Sequence, residues 1–323
     1  MEQTGTELRP LLLSIAYRML GSFGDAEDVV QEAYLRLHRE PEQVRSVKAY
    51  LTTVTTRLAI DQLRSARRQR EQYVGPWLPE PAVDGYVDLA ERAALSDSLA
   101  TAFLVVLERL SPEQRAVFLL RDVFGYGYQE VAGIVGKTQA AVRQTAVRAR
   151  RELARERPRF DSSRQERDEL VRRFVAASEH GELDGLLELL APAATFTGDG
   201  GGKALSMPEP VLGAEQVARL VVMAFERVRT LGFEVRFAQV GGQPALRITG
   251  PGDATAAVWS LQIAGGRVAA IHSVVNPDKL GHLQTAPTPP AQPLSPVRQP
   301  GARPGGAAVR GPGPPGLRGR PRR

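Results

Sequence analysis

The chain has 323 residues, 42% of them hydrophobic and 24% charged, and no cysteine. That length allows two or three packed domains, and the missing cysteines exclude disulfides and fit a reducing compartment. No apolar run approaches the roughly 20 residues of a membrane span, and the opening MEQTGTELRP is polar and acidic, unlike a secretory signal. A cytoplasmic protein without a membrane partner is therefore expected. The net charge of +6 suggests nucleic acid less strongly than it first appears. Seven arginines beyond residue 280 exceed the whole excess and leave residues 1–280 at about −1, so any DNA case rests on local patches.

Residues 10–70 have the pattern of helices. PLLLSIAYRML puts Leu12, Ile15, Ala16 and Met19 on one face, and Gly21 to Gly24 breaks the run. Asp25 then stands as an N-cap, with Glu27 and Asp28 where the helix dipole favours acids. Val29, Val30, Ala33, Tyr34 and Leu37 form the apolar stripe of that helix. A third helix is predicted from about Val47 to Gln69, with Leu51, Val54, Leu58, Ile60 and Leu63 inward. Residues 71–95 form a Pro/Gly-containing connection. It carries GPWLPEP, which holds three prolines and one of the two tryptophans.

Helical patterning resumes near Leu89 and runs to Leu110. Ser111-Pro-Glu-Gln114 is a helix start, with Ser as cap, Pro in the first turn and Gln reaching back. After the turn FGYGY, a short helix covers Gln129 to Val135, Gly136 closes it, and Thr138 caps a long helix to about Arg155. Beyond Pro158 the pattern changes to two helices, then β-like segments with Gly-rich turns and one more helix at about 214–229. The tail is rich in Pro, Gly and Arg without periodicity and is expected to be disordered.

Three constellations carry chemistry. Helix, turn, short helix, Gly turn and capped helix over 111–157 is the helix-turn-helix pattern, whose second helix enters the major groove. Val142, Ala146, Ala149 and Leu153 can face the core. Gln139, Arg143, Gln144 and Arg148 then face outward, as base-edge readers do. Arg150, Arg151 and Arg155 suit phosphates. The second constellation is Tyr50, several threonines (Thr52, Thr53, Thr55, Thr56) and Arg57, Arg64, Arg67, Arg68 and Arg70. Together they suit melted DNA through stacking and phosphate contacts. The third is the acidic set Asp28, Gln31 and Glu32 on an otherwise apolar helix, which fits a protein docking surface.

Together these stretches resemble the extracytoplasmic-function (ECF) sigma factors. DAEDVVQEAYLRL resembles the polymerase-docking part of sigma-70 region 2, and AYLTTVTTRLAIDQLRSARR its −10 recognition and melting part. LSPEQRAVFLLRDVFGYGYQEVAGIVG and the helix after it resemble the −35-binding region 4. One departure is that the short helix after FGYGY begins after Tyr128, where a Ser or Thr cap would be expected. WLPEP at 77–81, DGGGK at 199–203 and NPDKL at 276–280 resemble the signatures of the ECF41, or SigJ-like, group.

The resemblance implies a multidomain chain. Region 2 is expected at 8–70, a linker at 71–95, region 4 at 96–157 and a C-terminal α+β SnoaL-like (NTF2-like cone) domain at 160–282. A disordered tail is expected at 283–323. Core RNA polymerase and promoter DNA are the implied partners. Polymerase would be met by Asp25, Asp28, Gln31 and Glu32. The −10 element would be met by Tyr50, Thr53, Arg57, Arg64, Arg67 and Arg68, and the −35 element by Thr138, Gln139, Arg143, Gln144, Arg148 and Arg151.

In this group the fused domain is thought to tune sigma activity, which points to Trp77, Leu78, Pro79, Glu80, Pro81, Asp199, Gly200, Gly201, Gly202, Lys203, Asn276, Pro277, Asp278, Lys279 and Leu280. Trp77 and Leu78 are expected to be an apolar anchor, with Glu80 meeting a basic loop such as Lys203 or Lys279. Because SnoaL-like folds include enzymes, Asp199, Asp253 and His272 are the residues to weigh for acid–base work. Asp199 before glycines looks like a turn former, and His272 like a core histidine. No enzyme activity, cofactor or metal site is expected, and a small-molecule effector of the third domain is left open. The competing reading is a helix-turn-helix regulator with a ligand-sensing C-terminal domain.

Overall fold

The structure, a computed structural model, describes residues 2–39, 44–70, 72–83, 100–154 and 163–284. They belong to one compact unit, Met1–Pro293; a second unit, Leu294–Arg323, lies outside the described residues, as do the rest of the predicted tail from 285 and the stretch 84–99 of the connection.

The chain opens with three helices: α1 (Glu2–Leu20), α2 (Phe23–Arg39) and α3 (Val47–Arg70). α1 begins eight residues earlier than the sequence pattern suggests and carries Pro10 inside it. Its predicted stripe of Leu12, Ile15, Ala16 and Met19 is fully buried. Then come α4 (Thr101–Leu107) and α5 (Pro112–Phe118), which continues into a wider π-type turn over Leu119–Val123. α6 (Tyr128–Val135) and α7 (Gln139–Ala154) follow.

The predicted capping box closes α5, with Gln114 N–H donating to Ser111 Oγ at 3.2 Å and Ser111 N–H donating to Gln114 Oε1 at 2.8 Å. Tyr128 starts α6 on a different device: the Gly127 N–H before it donates to Glu130 Oε2 at 2.7 Å. Buried Arg115 ties α4 to α5 through Glu108 at 2.7 Å.

The two helical groups share one hydrophobic cluster. Leu51, Ile60 and Leu63 of α3 join Val117, Val131 and Val142 of the later helices in it. A fully buried aliphatic side chain contributes about 1.5–3 kcal/mol, so this contact holds the groups side by side.

The third domain starts with α8 (Arg164–His180) and α9 (Leu183–Leu189). β1 (Leu190–Asp199), β2 (Val211–Leu212), α10 (Ala214–Thr230), β3 (Glu234–Val240), β4 (Gln243–Thr249), β5 (Thr255–Ala264) and β6 (Arg267–Val274) complete it. The sheet order is β2-β1-β6-β5-β4-β3, antiparallel except for the β1–β6 pair. One face packs on the helices, where Trp259 meets Phe196 and Phe225 edge-on at 5.3 and 5.7 Å.

The other face is also covered. Val240, Ala245, Val258 and Val274 pack there against Leu78 and Val83 of the connection and against Leu280 and Leu283. With both faces occupied, β4 is buried along its whole length, its polar Gln243, Arg247 and Thr249 included. The connection also joins the sheet, as Val83 bridges Val240.

Candidate interdomain and DNA-binding sites

The first site lies on the connection-facing side of the sheet, at the ends of β1 and β6. The Asp199 side chain is fully buried, where the sequence suggested a turn residue. β1 runs as far as Asp199, whose partner across the parallel pair is Val274 of the connection-facing cluster. Its carboxylate accepts from the Tyr73 hydroxyl at 2.5 Å, from the Leu78 N–H at 2.7 Å and from Lys279 Nζ at 2.6 Å.

Lys279 lies between two rings, 4.1 Å from the Trp77 centroid and 5.0 Å from that of Tyr73, and also donates to the Leu78 carbonyl. Asn276 Nδ2 donates to the Tyr73 oxygen at 2.9 Å. Burial, then the bond to Asp199, pushes the Tyr73 phenol up. The Gly201 backbone has φ 57, and a Cβ there would stand 2.2 Å from Asn276 Nδ2, so only glycine lets this loop close. Lys203 reaches Asp278 at 2.5 Å, an exposed pair worth at most about 1 kcal/mol.

The same segment grips the first helical group. Trp77 packs on Gly21, in the turn between α1 and α2. Glu80 N–H donates to the Gly21 carbonyl at 2.8 Å, and Tyr17 Oη donates to the Glu80 carbonyl at 2.6 Å. The Glu80 side chain goes to the start of α2, accepting from Phe23 N–H at 2.7 Å. The expected role of Glu80 is thus corrected: Asp199 supplies the carboxylate for Lys279, and Asp278 the one for Lys203. Burial raises the Glu80 carboxyl pKa. His282 adds a tilted ring contact to Phe23 at 4.8 Å, with Nε2 3.0 Å from the Pro81 carbonyl. Pro79 and Pro81 are buried. A further contact joins β5 to α4, where Thr101 Oγ1 donates to Ser260 Oγ at 2.8 Å.

The second site is the outward face of α7. Val142, Ala146, Ala149 and Leu153 are buried as the sequence suggests. Gln139, Arg143, Gln144, Arg148 and Arg151 are exposed together. Thr138 caps the helix, its Oγ1 accepting from Ala141 N–H at 3.2 Å. Arg150, expected at phosphates, pairs with Asp122 at 2.7 Å.

Residues 6–69 match the Sigma-70 region 2 family, and residues 100–153 match the Sigma-70, region 4 family. The chain is 39% identical over 283 residues to the ECF RNA polymerase sigma factor SigJ of Mycobacterium tuberculosis, covering 84% of this chain and 90% of that protein. The chain belongs to the ECF RNA polymerase sigma factors. It is also 36% identical to the probable ECF RNA polymerase sigma factor SigI of the same organism, over 85% of this chain and 93% of that protein. The crystal structure of M. tuberculosis SigJ superposes with a TM-score of 0.71 at 35% identity, over 87% of this chain and 98% of that one. This ECF sigma factor therefore has two helical sigma domains followed by a SnoaL-like α+β domain, in the SigJ-like arrangement.

On α2 of the sigma factor, Asp28 and Gln31 are exposed, while Asp25 and Glu32 are half-buried, Glu32 pairing with Arg36 at 2.7 Å. Leu35, 46% exposed one turn further on, extends that face and was missed from the sequence, where it reads as an ordinary helix position.

On α3, Tyr50 packs against the shared core, and Thr53 donates to the Ala49 carbonyl at 2.7 Å. Thr52, Thr55 and Thr56, read as hydroxyls for DNA, are buried. Arg57 donates to the carbonyls of Ile134 at 2.8 Å and Gly133 at 3.0 Å, and Arg64 bonds Asp61 and Glu113. Arg67 and Arg68 lie on α3, with side chains outside the described ones.

The acid–base candidates are all engaged structurally or apart. Asp253 pairs with Arg236 and Arg247. His272 is buried opposite Ser260, and burial alone lowers its pKa from 6.5 to about 4. The residues the sequence did not signal are Tyr17, Gly21, Phe23, Tyr73 and His282. All act through contacts distant in sequence. Among the described residues, no helix is long and apolar enough to cross a membrane, and no cluster of His, Asp and Glu could hold a metal ion.

Proposed function

We propose that this sigma factor docks on core RNA polymerase through the α2 face formed by Asp28, Gln31, Glu32 and Leu35. It recognises the −35 element through Gln139, Arg143, Gln144 and Arg148, and the −10 element through α3. The third domain acts as a built-in regulator, working in the cytoplasm with neither catalysis nor a separate cofactor. The domain limits inferred from sequence stand as part of this reading: 8–70, 96–157 and 160–282.

The observation that carries the regulatory role is the double attachment of residues 73–83. On one side they are fixed to Asp199 and Lys279, on the other to Gly21 and Phe23. The segment therefore couples the third domain to the turn that starts the docking helix. A tethered domain acts at high effective concentration, so contacts this small suffice and can be broken.

The test is run-off transcription with core polymerase, using the full chain and Lys279→Met. Starts at specific sites, with a changed yield in the variant, are expected. Specific DNA binding without polymerase-dependent starts would favour a helix-turn-helix regulator instead. An unchanged yield in the variant would remove the regulatory role.

A further inference from the structure

Two of the arginines read as contacts for the −10 strand, Arg57 and Arg64, already have protein partners. Arg57 donates from Nε and Nη2 to the carbonyls of Ile134 and Gly133. Those carbonyls end α6, which Gly136 closes at φ 66. The last carbonyls of a helix lack partners in their own helix and carry the negative end of its dipole, so a guanidinium is held there by charge as well as by hydrogen bonds. Arg64 lies seven residues on, on the same face of α3, and bonds Glu113 in the first turn of α5. That bond holds the Glu113 carboxyl below its ordinary range. Thr52 lies 3.4 Å from the Tyr126 hydroxyl, and Arg18 of α1 stacks on Phe124 at 5.2 Å. Meanwhile Gln139, Arg143, Gln144 and Arg148 of α7, and Asp28 and Gln31 of α2, stay exposed.

We propose that this contact between region 2 and region 4 is an autoinhibitory latch. It rests on the reading of α3 as the −10 element. In the resting chain Arg57 and Arg64 are occupied by region 4, and they reach the melted strand only when the two sigma domains part. The latch is direct, made without any residue of the third domain. Its polar acceptors are two neutral carbonyls and one half-buried carboxylate, weaker partners for arginine than phosphates arranged along a strand. Parting the domains must also expose the apolar cluster that Leu51, Ile60 and Leu63 share with region 4. DNA therefore competes with the latch. The exposed faces of α2 and α7 let polymerase and −35 DNA engage first, and the −10 strand last.

The chain has no cysteine, so cysteines placed at exposed Ser65 and Lys137 are unique sites for spin labels flanking the contact. Pulsed electron–electron distance measurements on the full chain should give one narrow, short distance. Glu113→Gln should broaden and lengthen it and raise affinity for a 20-nucleotide oligothymidylate by about two- to fivefold, the size of an exposed ion pair. Glu113→Lys should do so more strongly. Glu7→Gln, the same charge change on α1, should leave both readouts unchanged. A broad, long distance in the unsubstituted chain overturns the latch. So does a Glu113 variant that opens the distance without raising oligothymidylate affinity. The two readings fail separately, since absent run-off transcription counts against the promoter assignment, whereas the distances and oligothymidylate affinities decide the latch.

Discussion

Asp199→Asn is the most informative single change at the interdomain site. The carboxylate receives three donors, from Tyr73, Leu78 and Lys279. An asparagine keeps one acceptor oxygen and turns an NH2 group toward the remaining donors. The Lys279 side chain is 9% exposed and that of Asp199 0%, so solvent cannot replace the lost partner. Leaving one charge of a buried pair uncompensated costs about 3–5 kcal/mol. The loss should fall on the attachment of residues 73–83 to the third domain, because Gly21, Tyr17 and Phe23 hold the other side independently. A global unfolding curve mixes domains. The assay is therefore hydrogen exchange at the Leu78 amide, read against that of Glu80, which bonds Gly21 instead. Leu78 should exchange hundreds-fold faster or more, with Glu80 changing less. Lys279→Met completes a double-mutant cycle, since methionine keeps the contact with the two rings while removing the charge. The double variant should be markedly less destabilised than the sum of the singles. A loss under about 1 kcal/mol, or strict additivity, would refute the pairing argument.

Arg143→Ala should reduce −35 affinity by about 1–3 kcal/mol if its exposed guanidinium makes a bidentate base contact, measured by fluorescence anisotropy on matched and mismatched duplexes; equal losses on both would remove it from the readout. Asp28→Arg should weaken binding to core polymerase in a pull-down titration while leaving duplex affinity at α7 intact, and equal polymerase affinity would exclude this face. Gly21→Ala should lower stability by roughly 1–3 kcal/mol, because φ is 73 and the added Cβ would lie 2.7 Å from the Trp77 ring; an unchanged thermal midpoint would contradict the close approach. His272→Gln should flatten the acid side of the stability profile: the folded chain keeps His272 neutral down to about pH 4, whereas the unfolded chain takes up the proton below about 6.5, so stability falls by ~3 kcal/mol across that window. Glu80, whose raised pKa acts in the opposite direction, is common to both proteins, so identical urea midpoints against pH in the two would disprove the assignment.

The elements that local chemistry specifies were legible in the sequence. The Ser111–Gln114 box, the Gly136 stop and the α7 stripe each follow from groups a few residues apart, and each is present. The three short motifs were legible as participants, and their glycine and proline content as tight loops. Their pairing was not. Glu80 and Asp199 are both acids near a lysine, and only the fold decides which one is enclosed with it. Tyr73 carried no signal because its partner Asn276 is 203 residues away. The α3 threonines misled for the same reason: a hydroxyl beside arginines suits DNA, but packing on the other helices buries it.

The composition of the interdomain site bears on what it can do. A buried lysine is unfavourable alone, and so is a buried aspartate, yet each offsets part of the penalty of the other. The lysine, the carboxylate and the two aromatic rings come from three separate stretches, so no stretch can keep its burial if another withdraws. A purely apolar contact of similar size would tolerate sliding and partial opening. This one has a low-energy arrangement only when all three parts meet, because any intermediate leaves a charge in an apolar setting. Attachment of the linker is thus nearly all-or-none, and the angle at which Glu80 meets the start of α2 inherits that discreteness. Under the regulatory reading proposed above, a third domain attached this way selects one of two states for the sigma domains instead of grading their separation.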